Sequence, residues 1–263
     1  MGYIKSIFQL VRFNNLIFIA LTQYLVYVFI VVPNVIFQKE KLYLSDGNSL
    51  FFLIFSTILI AAAGYIINDY FDLRIDHINK PEKIVIDKII SRKTAILLHI
   101  SLNLVAIIFC VLVVKNIDLK LIFLQFISIF LLIVYSITFK KKLIVGNLII
   151  ALLATMSIAT ILFYEPHFNI FDLNNYTVKM SWLFMVFSFL ITWIREIIKD
   201  LEDIKGDAVE NSNTLPLHFG ILITKNIIFT LIILLEFLIC FAAIYFFNSN
   251  IVFSIYLVLG LFF

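Results

Sequence analysis

The chain has 263 residues, 63% of them hydrophobic and 14% charged, with a formal net charge of +3. Soluble domains are about 45–50% apolar, so the composition excludes a water-soluble protein or a nucleic-acid binder and leaves an integral membrane protein. Against so apolar a background, any local cluster of charge demands an explanation.

At about 20 apolar residues per crossing, the sequence predicts an all-α, polytopic membrane helix bundle forming a single domain over 1–263. Seven full spans are predicted: Leu16–Ile36, Ser49–Ile67, Thr94–Val114, Leu119–Thr138, Leu143–Tyr164, Ser181–Ile198 and Ile221–Phe247. An eighth begins at Ile251 and is cut short at Phe263. Met1-Gly2-Tyr3-Ile4-Lys5-Ser6 fits the short N-myristoylation pattern by chance, and without an Ala-x-Ala cleavage site the first apolar run reads as a retained span. Fifteen of the twenty Lys and Arg residues fall at one end of the bundle, with the N-terminus and the connections after the second, fourth and sixth spans. The positive-inside rule makes that end cytoplasmic, and the membrane is expected to be the inner membrane of a prokaryote.

The second span runs into Asn68-Asp69-Tyr70-Phe71-Asp72-Leu73-Arg74-Ile75-Asp76. If the helix continues, Asn68, Asp72 and Asp76 share one face at i, i+4 and i+8. The sixth span runs into a second ladder, with Asp200, Asp203 and Asp207 at i, i+3 and i+7. Stacked carboxylates repel, and oxygen ligands at this density suit Mg²⁺, which is commonly completed by substrate phosphates. Two such faces opposed at one membrane boundary would hold two Mg²⁺ ions and a diphosphate. The ladders lie four spans apart, which suggests a weakly preserved duplication of a four-helix unit.

Asn68-Asp69-x-x-Asp72-x-x-x-Asp76 with Asn79-Lys80-Pro81, and Asp200-x-x-Asp203-x-x-x-Asp207 with Thr214-Leu215-Pro216, resemble the UbiA superfamily of intramembrane prenyltransferases. Arg12-x-x-Asn15, Tyr135-Ser136, Lys140–Lys142 and Gly146-Asn147 extend the resemblance along most of the chain. It implies about nine helices around a cavity capped on the cytoplasmic side. It also implies Mg²⁺-dependent transfer of a prenyl group from an isoprenyl diphosphate to a lipophilic acceptor. The residues following each ladder look most like the branch that includes geranylgeranylglycerol-phosphate geranylgeranyltransferase, with geranylgeranyl diphosphate as donor. An aromatic acceptor, as in quinone synthesis, is the alternative. No protein partner is implied.

On this reading Asn68, Asp72 and Asp76 hold one metal ion and Asp200, Asp203 and Asp207 the other, with Asp72, Asp76, Asp200 and Asp203 carrying the chemistry. Asp69 stands behind the first set. Arg74, Lys142 and Lys199 are candidate diphosphate partners, and Asn15 and Tyr135 candidates at the cavity mouth, against the plainer readings of positive-inside charge and interhelical hydrogen bonding. Glu196 is a candidate on the acceptor side. Glu236 is expected in mid-membrane, where an ionisable group is costly. His99 reads as a core histidine, His77 and His218 as loop residues without ligand spacing, and Cys110 and Cys240 as small hydrophobes.

Two rivals differ in pattern. A CDP-alcohol phosphotransferase carries D-G-x-x-A-R with its aspartates in one run, which this chain lacks. A divalent-cation channel would place acidic rings along a path through the membrane, whereas the five ladder aspartates and Asp69 sit at one face.

Overall fold

The structure, a computed structural model, describes residues 3–42, 48–113 and 119–247. The predicted eighth span lies outside these residues. A short amphipathic helix, α1 (Tyr3–Leu10), leads into α2 (Phe13–Phe37), followed by α3 (Asn48–Phe71), α4 (Leu73–Asn79), α5 (Arg92–Val113) and α6 (Leu119–Ile137). Next come α7 (Val145–Phe163), α8 (Tyr176–Glu202), α9 (Ile204–Val209), α10 (Leu215–Phe219) and α11 (Ile221–Phe247). Among the described residues α2, α3, α5, α7, α8 and α11 are long and apolar enough to cross a membrane, and α6 contributes a shorter apolar stretch, Ile122–Ile137.

Local chemistry explains several of these shapes. Pro33 cannot donate to the carbonyl one turn back, and the preceding turn of α2, Tyr27–Val31, is wound as a π-helix. Such widened turns relieve this kind of disruption. Asn175 caps α8 by accepting from the Thr177 N–H at 3.0 Å, satisfying one of the helix's unpaired donors. Histidine 99 faces the core, its Nδ1 2.9 Å from the Ala63 carbonyl. Cys110 is buried with its Sγ 2.6 Å from the Tyr164 hydroxyl, the packing role expected of it.

Both predicted ladders lie at breaks rather than on unbroken helices. α3 ends at Phe71 and α4 begins at Leu73, with Asp72 between them in the bridge region at φ −87°, ψ 0°. The i→i−4 bonds nevertheless run through, from Asp72 N–H to Asn68 and from Asp76 N–H to Asp72. α8 and α9 repeat the arrangement around Asp203, at φ −95°, ψ 6°, with Asp203 N–H bonded to Lys199 and Asp207 N–H to Asp203. Each ladder therefore keeps a shared face and gains a bend at its central aspartate.

Each bend is seated on its own apolar cluster. Leu10, Ile66, Leu73, Ile84, Ile86 and Ala95 pack beneath the first. Ile194, Ile197, Leu215, Ile228 and Leu231 pack beneath the second. A two-residue parallel pairing, β1 (Lys142–Leu143) with β2 (Asn213–Thr214), ties the connection after α6 to the one after α9.

Candidate active site

The bends bring α4 and α9 into direct contact. A Cβ at Gly206 would sit 2.6 Å from Asn79 Nδ2 and 2.8 Å from Ile75 Cγ2, closer than real Cβ contacts. Only glycine allows this approach, and the gap is bridged by hydrogen bonds. Asn79 Oδ1 accepts from the Gly206 N–H at 3.0 Å, and its Nδ2 donates to the Asp203 carbonyl at 3.1 Å. Lys80, one residue on, reaches Asp203 Oδ1 at 2.9 Å.

Between the ladders lies a cavity of about 590 Å³ lined by Asp72, Asp76, Asp200, Asp203, Asp207 and Asp69, with Lys80, Lys140 and Lys199 among them. Lys140 is ion-paired with Asp72. It is presented by the tight turn Phe139–Lys141, which crosses the start of α7 where a Cβ at Gly146 would meet the Phe139 carbonyl at 2.8 Å. Asn147, in the first turn of α7, donates to Asp200 Oδ2 at 2.9 Å. Lys141 and Glu210 form a further ion pair at 2.6 Å.

Electrostatics follow from crowding. Burial and then the neighbouring charges of Asp72 and Asp69 push Asp76 up to about 6. Burial likewise pushes Asp207 up to about 6, with Lys140 partly offsetting and Asp203 and Asp72 adding to the rise. For Lys140 burial works against the charge, but Asp72, with Asp76 and Asp207 beyond it, holds the ammonium protonated above the usual lysine range. One lysine thus answers charges from both ladders.

A second chamber of about 330 Å³ continues inward from the first. Arg12, Tyr135 and Lys199 line both and form the waist between them. Arg12 adopts a left-handed backbone, φ 52°, uncommon for a residue with a Cβ. Its guanidinium is held 2.8 Å from Asp69 and 4.7 Å from the centre of the Tyr65 ring. Backbone outliers of this kind concentrate where a side chain must be aimed. Farther in, the lining includes Phe18, Ile60, Leu132 and Leu153. Thr57, Ser128 and Thr160 also line it but spend their hydroxyls on carbonyls of their own helices, while Asn15, Gln125 and Glu196 leave polar points in the wall.

The sequence-predicted residues divide cleanly. Asn68, Asp72, Asp76, Asp200, Asp203, Asp207, Asn15, Tyr135 and Lys199 all line one or both chambers. Arg74 and Lys142 do not. Arg74 follows Asp72 by two positions, lies on the other side of its helix and is exposed. Lys142 is held by the strand pairing and lies over the Phe139 ring at 4.8 Å. The cations that do reach the acidic cavity include Lys80, Lys140 and Arg12. Their motifs are visible in sequence, but nothing there tells which lysine of Lys140–Lys142 turns inward.

A metal-ion site is tested by its donors. Asn68 is buried and donates through Nδ2 to Asp72 Oδ2 at 2.7 Å, while its Oδ1 is buried without a hydrogen-bond partner. An orphaned buried oxygen beside a carboxylate is an anomaly that an oxygen-seeking cation would resolve. Among the described residues, however, no three acidic, imidazole or thiol side chains converge as a ready-made metal cluster, and Lys140 and Lys80 pair with the central aspartates. The donor set fits Mg²⁺ bound jointly with an anionic guest more than an all-protein cage.

An all-helical membrane chain with two opposed aspartate ladders over an apolar chamber is a known class. Residues 17–263 match the family model of the UbiA prenyltransferase family, and the chain belongs to that family. It is a prenyltransferase and an integral membrane protein. Among its relatives, the digeranylgeranylglyceryl phosphate synthase of Sulfurisphaera tokodaii is 32% identical, over 96% of this chain and 82% of that one. The enzyme of the same name from Saccharolobus solfataricus is 32% identical, over 97% and 83%. A solved structure concerned with digeranylgeranylglyceryl phosphate synthase in membranes superposes with a TM-score of 0.62 at 24% identity, covering 93% of this chain and 78% of that one, and shares its fold.

Proposed function

We propose that this protein transfers a geranylgeranyl group from geranylgeranyl diphosphate to the free hydroxyl of geranylgeranylglyceryl phosphate, releasing diphosphate, at the cytoplasmic face of the membrane. The observation that carries the reading is the closure of α4 on α9 at Gly206, which makes one cavity out of two distant acidic ladders and sets it against a second chamber lined in part by Phe18, Ile60, Leu132 and Leu153. The relatives' shared name supports the acceptor class. The excess of Lys and Arg at the ladder end supports the orientation.

The six ladder residues Asn68, Asp72, Asp76, Asp200, Asp203 and Asp207 would hold Mg²⁺ together with the donor's phosphates. Bound there, Mg²⁺ supplies Lewis-acid stabilisation of the departing diphosphate. The protein's own contribution is arrangement. Lys80, Lys140 and Lys199 are fixed cations around the leaving group, already oriented before charge develops on it. Asn147 and Asn79 orient Asp200 and Asp203. The inner chamber takes the prenyl chain and keeps water from the allylic carbon as its bond to oxygen weakens. Arg12 and Tyr135, at the waist, bracket the level at which that carbon lies.

Purified protein in vesicles, given labelled geranylgeranyl diphosphate, Mg²⁺ and either a prenylglycerol phosphate or an aromatic acid, is expected to prenylate the former, and chelation is expected to stop it. Product from the aromatic acid alone would overturn the acceptor assignment.

A further inference from the structure

One ion pair of the inner chamber has no part in the scheme above. Arg195 and Glu196 both line the chamber, with Nη2 3.2 Å from Oε1. Their surroundings differ sharply: the Glu196 side chain is 8% exposed and the Arg195 side chain 58%. Arg195 belongs to an otherwise apolar outward stripe of α8, between Ile191 and Ile198, which are 54% and 41% exposed. It lies five residues before Asp200, or roughly 7.5 Å along the helix toward the membrane interior at about 1.5 Å per residue. A guanidinium facing the apolar region is costly unless an anion meets it. Its ion-pair partner, Glu196, is buried and lines the chamber. The pair therefore sits in the chamber wall, its carboxylate buried and its cation largely exposed.

We infer that Arg195 and Glu196 form the acceptor site: Arg195 binds the phosphate of an amphiphile arriving from the bilayer, and Glu196 accepts the proton of its hydroxyl. The inference rests on the transferase reading given above. Arg195's planar fork matches a phosphomonoester. A phosphate on Arg195 competes with Glu196 for the guanidinium, leaving Lys199 and Arg12 as the charges that act on the carboxylate. In the step itself the acceptor oxygen bonds to the allylic carbon, the carbon–oxygen bond to diphosphate breaks, and the hydroxyl proton passes to a Glu196 carboxylate oxygen. Arg195 is then a specificity-determining residue and Glu196 a catalytic one.

The test uses the full chain in vesicles of neutral phosphatidylcholine, with a prenylglycerol phosphate and the matching dephosphorylated prenylglycerol as competing acceptors. Wild type is expected to prefer the phosphorylated acceptor, and Arg195→Ala to lose roughly 10- to 100-fold of that preference, the worth of charge-assisted hydrogen bonds. Arg195→Lys is expected to restore part of it, with KM for the donor unchanged throughout. Glu196→Gln is expected to keep acceptor KM and lose kcat, while slow hydrolysis of the donor continues. Because Arg195 is largely exposed, its truncation leaves the packing intact. Undiminished preference in Arg195→Ala overturns the assignment. So does a defect that appears only when anionic phospholipid is added, since Arg195 would then bind bulk headgroups. Wild type that hydrolyses the donor but prenylates neither acceptor would instead sink the transferase reading itself.

Discussion

The two ladders repeat one design with different supports. In the first, the central Asp72 is buried, ion-paired with the half-buried Lys140 and backed by an Asn68 oxygen without a partner. In the second, the central Asp203 is more open and is held from across the gap by Lys80, a residue of the first ladder's own loop. The first is thus built as a rigid half-site. The second is completed by a strut from its counterpart, so the pair closes as a unit.

The largest expected effect comes from removing either centre. Asp72→Ala and Asp203→Ala should each lower kcat/KM by 10² to 10³ or more, on the order of a lost preorganised electrostatic contact, with Asp72→Ala the worse. Both should still insert and express, because neither aspartate fills the core. Wild-type turnover in either would break the two-ladder scheme. The struts come next. Lys140→Met leaves a carboxylate buried and unpaired, a loss of about 3–5 kcal/mol for a buried pair. Lys80→Met removes a more exposed one, worth about 1 kcal/mol or less. Thermal melting without Mg²⁺ should rank them in that order. Equal losses would mean the two halves are not differently supported.

Gly206→Ala should cost about 1–3 kcal/mol, as overpacking does, and should weaken donor binding by parting α4 from α9. An unaltered KM for the donor would show that the contact is incidental.

The helical membrane-spanning character of the chain, six of its apolar spans and the shared aspartate faces were legible in the sequence. Apolar run length and the three- and four-residue spacings are local properties. What was not legible is rotational. Arg74 and Lys142 sit in the right loops but do not line either chamber, while Lys140 and Lys80 line the acidic cavity. Which of three consecutive lysines turns inward depends on the tight turn at Phe139 and on the room left by Gly146, neither of which has a sequence period. Nor does spacing reveal that the helices bend at Asp72 and Asp203, since their hydrogen bonds continue through the bends. Arg195 and Glu196, adjacent in sequence, were separable only once one was seen exposed and the other buried.

The smallest effect separates the ladders' outer aspartates from their centres. Asp76 and Asp207 each titrate near 6 in the folded protein because burial and neighbouring carboxylates disfavour the anion. A folded-state value raised above the unfolded one means that the native state holds more protons. The stabilisation is therefore complete below the ordinary aspartate range and is lost as pH climbs through about 6. With Mg²⁺ chelated, the thermal midpoint should fall between pH 5 and pH 7.5. Asp76→Asn with Asp207→Asn should flatten that slope, because a neutral amide cannot titrate. Mg²⁺ with diphosphate should reverse it at the upper end, since a cation binds the deprotonated carboxylates and stabilises what the bare cavity strains to hold. A midpoint that rises with pH in chelated wild type would mean that these two aspartates are not crowded in solution, and that the two ladders do not face one another.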